Sequence, residues 1–483
     1  MIGQLTRSMN PISSQTLKVL WSDFDAREEQ LRRIVTDRLA ARPPPSLENA
    51  VVASYFFAFR NQTLAEAVKE IAYHATSGIK NPPPGSLLEE CTAAAAGVDA
   101  FDGSGRMGLL HMAFPLKMLL QADGHLTSTD ILHTIAGAII FDVYENLDAR
   151  LVAIQIPEEV IRTFPGPAYG PAGLRALTGF APRRPAFGTI LKPTAGITPA
   201  EVGQLVEEAA ACALFMFVKE DENLYPRLDY SPVSERVRRA VESIKRSQDK
   251  RGGLGLIFAP HITGAPNEIL GTLFAAVEQG ATGVMFSESF SGGTVRMVRE
   301  AVKQLATPPA IYGHNAGIGV KTRSIWREVI DLFARLDGID FRQTAPVKPG
   351  VPFLKPYGQE WEASEATLSR PLPGIKPVMI VRAGGLDQGN IGPNLADAEK
   401  RGMVENVLFL AGSAINSIQN FEGKPDPKFG AEAMAQAIEI HQSDQLKDIP
   451  LERHLDELIR LAGSKKLKPL REALRQRYPS SHP

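Results

Sequence analysis

Apolar positions fall into two successive rhythms along this chain. The first runs through the N-terminal third. An uninterrupted apolar strand at 51–59 precedes a helical stretch at 64–75, a proline-rich loop at 82–84, and strands near 93–98 and 109–114. A helix at 128–140 and a strand at 151–156 complete the set. The order βαββαβ predicts a ferredoxin-like α+β sandwich. The second rhythm is more regular. Short apolar runs recur at 187–191, 215–218, 254–259, 283–286, 309–312, 338–341, 378–381 and 407–410, and amphipathic stretches such as 199–211, 266–278 and 324–335 lie between them. Eight strand-plus-helix units of this size predict a C-terminal (β/α)8 TIM barrel, so the expected class is α/β.

A charged, helix-prone stretch at 22–35 ends in the proline cluster Pro43 to Pro45, which predicts an appended helix and a stiff linker. The expected organisation is an N-terminal helical extension and linker at 1–46, a ferredoxin-like domain at 47–160, a TIM-barrel catalytic domain at 161–445 and a helical tail at 446–483. Such a two-domain chain suits a length of 483 residues.

Composition then narrows the function classes. With 53 basic and 54 acidic side chains, no global field draws the chain to nucleic acid or to an anionic membrane, and a small-molecule substrate is expected. The two cysteines, Cys91 and Cys212, give neither a disulfide framework nor a zinc spacing. The first residues lack the pattern of a signal peptide, and no apolar run approaches a bilayer span, so a cytoplasmic location is expected.

In a TIM barrel, chemistry is assembled at the C-terminal ends of the strands. Here those ends offer Lys192, the run Lys219-Glu-Asp-Glu222, His261, Ser287, His314, Gln343, Ala383-Gly-Gly385 and Gly412-Ser413. Side chains alternate along a strand, so Lys219 and Asp221 share a face, with Glu222 just beyond. A lysine amine cannot sit beside Mg2+ as a cation. Its carbamate, formed with CO2, is an anionic oxygen ligand, and with Asp221 and Glu222 it makes the hard oxygen set that Mg2+ prefers. The alternative from the residues alone is a lysine neutralised by neighbouring acids at a barrel mouth.

Two stretches, Gly188-Thr-Ile-Leu-Lys-Pro-Thr-Ala-Gly196 and Lys219-Glu-Asp-Glu-Asn-Leu224, resemble the first- and second-strand motifs of ribulose bisphosphate carboxylase/oxygenase (RuBisCO) large subunits. Similar matches occur at Ile262-Thr-Gly264, Gly313-His314, Ala383-Gly-Gly385 and, in the smaller domain, Ala113-Phe-Pro-Leu116, and the resemblance spans roughly 50–445. It implies that Lys219 is the carbamylated lysine and that Asp221 and Glu222 are the acidic metal ligands. It further implies that Lys192 handles protons near an enediolate, that His314 contacts substrate, and that Gly384, Gly385 and Gly412 hold a phosphate through backbone N–H groups. Glycine suits that last role because no Cβ blocks close approach. His261 falls beside the site as a supporting residue. The implied cofactor is Mg2+, with CO2 as activator forming the carbamate. The implied assembly is a homodimer or a multiple of dimers whose sites are completed by the partner's small domain.

Departures from the family pattern are equally informative. The small-domain segment that carboxylating members offer to the neighbouring site reads His74-Ala-Thr-Ser-Gly-Ile-Lys80, without the acid, threonine and tryptophan. Ala138 stands where an asparagine is expected, Asn315 follows the histidine in place of arginine, Gln343 replaces a histidine, and Ala383 replaces a phosphate-binding serine. Lys348 is the nearest candidate for the mobile-loop lysine. The resemblance therefore points to the RuBisCO-like branch (form IV), with Mg2+-dependent enolisation of a keto-sugar or keto-sugar-acid monophosphate leading to isomerisation, tautomerisation or decarboxylation. A genuine ribulose bisphosphate carboxylase and a catalytically silent binding or regulatory protein are the alternatives.

Overall fold

The structure, a computed structural model, describes residues 14–143, 146–290, 292–347, 361–443, 445–446 and 448–479. Lys348 lies outside the described residues.

The N-terminal sheet contains Ala50–Phe59, Ala94–Ala100, Met107–Pro115 and Asn146–Gln155, all antiparallel, with Ala50–Phe59 paired on both sides. Every residue of that strand is buried. Its unbroken apolar sequence has a physical reason: both faces of the sheet are covered. Helices Leu64–Ala72 and Ser128–Ala136 pack on one face, where Tyr55 donates its hydroxyl proton to the Ile135 carbonyl at 2.6 Å. On the other face the helix Ser14–Ala41 sets Val35 against Phe56, Ala58, Leu109, Val152 and Trp326. The helix expected over 64–75 ends at Ala72 and continues as a single π turn, Tyr73–Ser77, closed by Gly78.

Eight parallel strands form the barrel: Ala186–Ile190, Phe215–Lys219, Ile257–Ala259, Gly283–Phe286, Ala310–Gly313, Phe341–Thr344, Met379–Ala383 and Val407–Ala411. Their ladder is continuous from the fourth strand round to the third. The remaining seam is joined by a parallel bridge between His261 and Met285. Alternate side chains separate the layers as strand geometry requires. Met216, Phe217, Ile257, Met285, Tyr312, Phe341, Val381 and Leu408 are among the residues that fill the interior. Phe187, Phe215, Val218, Phe258 and Phe409 pack outward on the helices. Gly188 in the first strand has no room for a side chain, because a Cβ there would lie 2.7 Å from the Phe217 carbonyl oxygen.

The sixth strand begins at Phe341, three residues later than the apolar run at 338–341 suggests. It reads Phe-Arg-Gln-Thr, and its polar residues are admitted because buried partners meet them. Arg342 is fully buried and pairs with Asp331 at 2.6 Å and with Glu288. Asp331 belongs to Arg327–Asp337, a helix buried on every side because it is wedged between the barrel and the N-terminal sheet. Its Asp337 accepts a hydrogen bond from Ser128 of the smaller domain. Among the described residues no helix is long and apolar enough to cross a membrane.

Candidate active site

Lys219 is the last residue of the second barrel strand and points inward, fully buried, its ammonium 5.6 Å from the centre of the Tyr312 ring. Tyr312 in turn stacks on Phe217 at 5.4 Å, so the lysine stands on an aromatic floor. Its Nζ donates to the Glu220 carbonyl at 3.0 Å. Burial pushes the ammonium down to about 8, against the opposing pull of Glu222 and Asp221.

Lys192, just past the first strand, donates to Asp221 Oδ2 at 2.5 Å, while Asp221 Oδ1 accepts from the Asn223 backbone N–H at 3.1 Å. Glu222 is partly exposed and lies 3.4 Å from His314 Nε2. The Ala316 N–H donates to His314 Nδ1 at 3.1 Å, so the neutral ring carries its proton on Nε2, facing Glu222. Burial, reinforced by the nearby Lys219, holds His314 well below the usual imidazole range and therefore neutral at pH 7. The barrel thus gathers Lys192, Lys219, Asp221, Glu222 and His314 at one mouth.

Glu220, which alternates with this set, faces the other way. It is buried and forms a two-pronged ion pair with Arg236 of the helix Val233–Ser247, at 2.7 and 2.8 Å. It also accepts the His261 backbone N–H at 2.9 Å. The His261 ring bonds the Leu224 carbonyl at 3.1 Å and the Thr263 hydroxyl at 2.6 Å, and burial lowers its pKa to about 4. These contacts fix the turn 220–224 from behind. Arg236 could not be singled out from sequence, since nothing in a helical arginine announces a partner 16 residues earlier.

On the opposite side of the mouth two amide oxygens are already engaged. Arg327 donates to the Asn315 side-chain oxygen at 3.1 Å and to Asp331 at 3.0 Å, and the Tyr312 hydroxyl donates to Gln343 Oε1 at 2.8 Å. Ala383 is buried and offers no donor.

Gly384 and Gly385 follow the seventh strand with φ of +102° and +75°, a backbone region that disfavours side chains, and a Cβ at Gly384 would meet open space. Gly412 follows the eighth strand. A Cβ there would lie 3.7 Å from Lys192 Cε, so this glycine borders the same mouth. In the smaller domain, Ile79 of the 74–80 segment is half exposed, and Ala138 opens the short helix Ile139–Asp142.

The donor set fits a hard divalent cation only in part as it stands. Two carboxylates flank the buried amine, and among the described residues no group of three His, Cys, Asp or Glu side chains is placed to hold a metal. A third anionic ligand would be supplied if the Lys219 amine, whose pKa burial lowers to about 8, reacted in its neutral form with CO2.

Comparison with known proteins agrees with the barrel and its strand-end motifs. Residues 175–351 match the family described as ribulose bisphosphate carboxylase large chain, catalytic domain. That stretch, from the helix before the first barrel strand to just past the sixth, is therefore similar to a RuBisCO large-chain catalytic domain. It is 28% identical over 381 residues to a ribulose bisphosphate carboxylase of Archaeoglobus fulgidus, covering 74% of this chain and 79% of that one. It is also 28% identical over 418 residues to the 3-oxo-isoapionate-4-phosphate decarboxylase of Rhizobium rhizogenes, covering 82% of this chain and 93% of that one. In fold it resembles the octameric RuBisCO of Pyrococcus horikoshii, with a TM-score of 0.74 at 21% identity over 90% of this chain and 97% of that one.

Proposed function

We propose that this chain is an enzyme of the RuBisCO-like branch that enolises a keto-sugar or keto-sugar-acid carrying one phosphate, with isomerisation, tautomerisation or decarboxylation as the outcome. The observation that carries this reading is the buried Lys219 between Asp221 and Glu222, with Lys192 at 2.5 Å from Asp221. The carbamylated Lys219, Asp221 and Glu222 would hold Mg2+. When bound, Mg2+ polarises the substrate carbonyl and offsets the negative charge that develops on its oxygen.

The chain's own residues do the rest. Lys192, beside Asp221 at the same mouth, would move the proton at the carbon next to the carbonyl. Neutral His314 donates from Nε2 to a substrate oxygen and holds its orientation. The N–H groups of Gly384, Gly385 and Gly412 hold the phosphate. The R. rhizogenes relative, named as the decarboxylase of a keto-acid monophosphate, supports this substrate class.

Carboxylation of ribulose bisphosphate is disfavoured by the other end of the pocket. Asn315 and Gln343 are neutral amides whose oxygens accept from Arg327 and Tyr312 and which bring no positive charge, and Ala383 has no hydroxyl. A second phosphate would forgo charge-assisted hydrogen bonds worth roughly 1.5 to 3 kcal/mol each. The half-exposed Ile79, and the octameric assembly named for the P. horikoshii relative, support an oligomer built from dimers. Incubation with ribulose bisphosphate and labelled bicarbonate tests the reading. No acid-stable label is expected, and incorporation at a rate matching turnover would overturn it.

A further inference from the structure

The C-terminal helix Lys468–Arg477 lies against both glycine loops. Gln476 exchanges two hydrogen bonds with the Gln419 backbone, at 2.9 and 2.8 Å, fastening the helix to the segment after the eighth strand. Tyr478 donates its hydroxyl proton to Asp387 at 2.7 Å and lies so close over Gly389 that no Cβ fits there, which fastens the helix to the loop that follows Gly384 and Gly385. Between these two fastenings, Arg477 Nη2 donates to the Ser413 hydroxyl at 2.9 Å, one residue beyond Gly412.

Arg477 is half-buried, and among the described residues no carboxylate lies within ion-pair distance of it. Two exposed arginines of the tail do meet carboxylates: Arg475 pairs with Glu472 and Arg460 with Glu457. A guanidinium carries five donors, and a hydroxyl oxygen satisfies one of them. The contact with Ser413 is open to solvent, so the remaining donors of the guanidinium are free to meet an anion next to Gly412.

We propose that Arg477 is the side-chain cation of the phosphate pocket, binding the substrate's phosphate together with the N–H groups of Gly384, Gly385 and Gly412 and the Ser413 hydroxyl. This rests on the phosphate reading of those glycines. It makes the C-terminal helix part of the binding site and a determinant of specificity for a phosphorylated substrate.

The test is calorimetric titration of inorganic phosphate into the full chain loaded with Mg2+ and bicarbonate, using wild type, Arg477→Gln, Arg477→Lys and Gly412→Asp, with thermal unfolding of each as a check of folding. Wild type is expected to bind phosphate and Gly412→Asp to lose it. Arg477→Gln should weaken it by about tenfold or more, the scale of one charge-assisted contact, and Arg477→Lys should restore part of the loss. Wild-type affinity in Arg477→Gln, alongside loss in Gly412→Asp, would overturn the role of Arg477 and leave the glycine pocket standing. An absence of binding in wild type, or unchanged binding in Gly412→Asp, would overturn the pocket and the arginine together.

Discussion

Lys192 Nζ and Asp221 Oδ2 are 2.5 Å apart, so the lysine proposed for proton transfer and a carboxylate proposed as a metal ligand are each other's partner. A metal bound as proposed would compete with this ion pair for one carboxylate. Replacing Lys192 by Met should therefore separate the two functions. Proton exchange on substrate should fall by about 100-fold or more, the usual contribution of a positioned acid or base, while Mg2+ affinity is kept or strengthened. Magnesium titration beside exchange kinetics checks this, and a parallel loss of both would place Lys192 in metal binding.

The acids of the 220–222 run should divide into one that holds the fold and two that hold the metal. Glu220→Gln leaves the fully buried Arg236 without its counter-charge, and breaking such a pair costs about 3 to 5 kcal/mol. Asp221→Asn should lower Mg2+ affinity with little effect on stability. Denaturant midpoints and metal titrations of the two variants are expected to give opposite patterns.

The seam between the domains carries a pH dependence. Burial raises Asp337 to about 7, with Ser128 as its hydrogen-bond partner. An acid with a folded pKa above its ordinary value of about 4 stabilises the native state in its protonated form, so this contribution is complete below pH 4 and is lost as pH rises through 7. Asp337→Asn should flatten the fall in melting temperature between pH 5 and 8. An unchanged slope in the variant would remove Asp337 as its source.

The N-terminal helix should matter for stability and not for the site. Deleting residues 1–42 uncovers Phe56, Leu109, Val152 and Trp326, which pack with Val35, and leaves the half-buried Glu328 without Arg32. Stability should fall by about 3 kcal/mol or more, the scale of exposing one or two large apolar side chains, with Mg2+ affinity preserved. Lost Mg2+ binding in a folded truncation would tie the helix to the site.

The eight-unit rhythm was legible because most barrel strands alternate two buried layers and read as short apolar runs. The sixth was displaced because Arg342 and Thr344 are buried polar residues whose partners lie on other elements, including Asp331 on the preceding helix. The same limit applies at the mouth. Lys192, Lys219 and Asp221 could be grouped through motif and alternation, and the structure brings them together. The pairing of Glu220 with Arg236 and the approach of Arg477 to Ser413 depend on how distant elements pack.

Solvent deuterium exchange tests the central claim most directly. Keto-sugar and keto-acid monophosphates are incubated in D2O with the protein, Mg2+ and bicarbonate, and label at the carbon next to the carbonyl is followed by NMR for wild type and Lys219→Ala. Incorporation, or label at the carbon that loses CO2, is expected to require both Mg2+ and bicarbonate and to disappear in Lys219→Ala while the variant stays folded. Undiminished exchange in Lys219→Ala would contradict that claim.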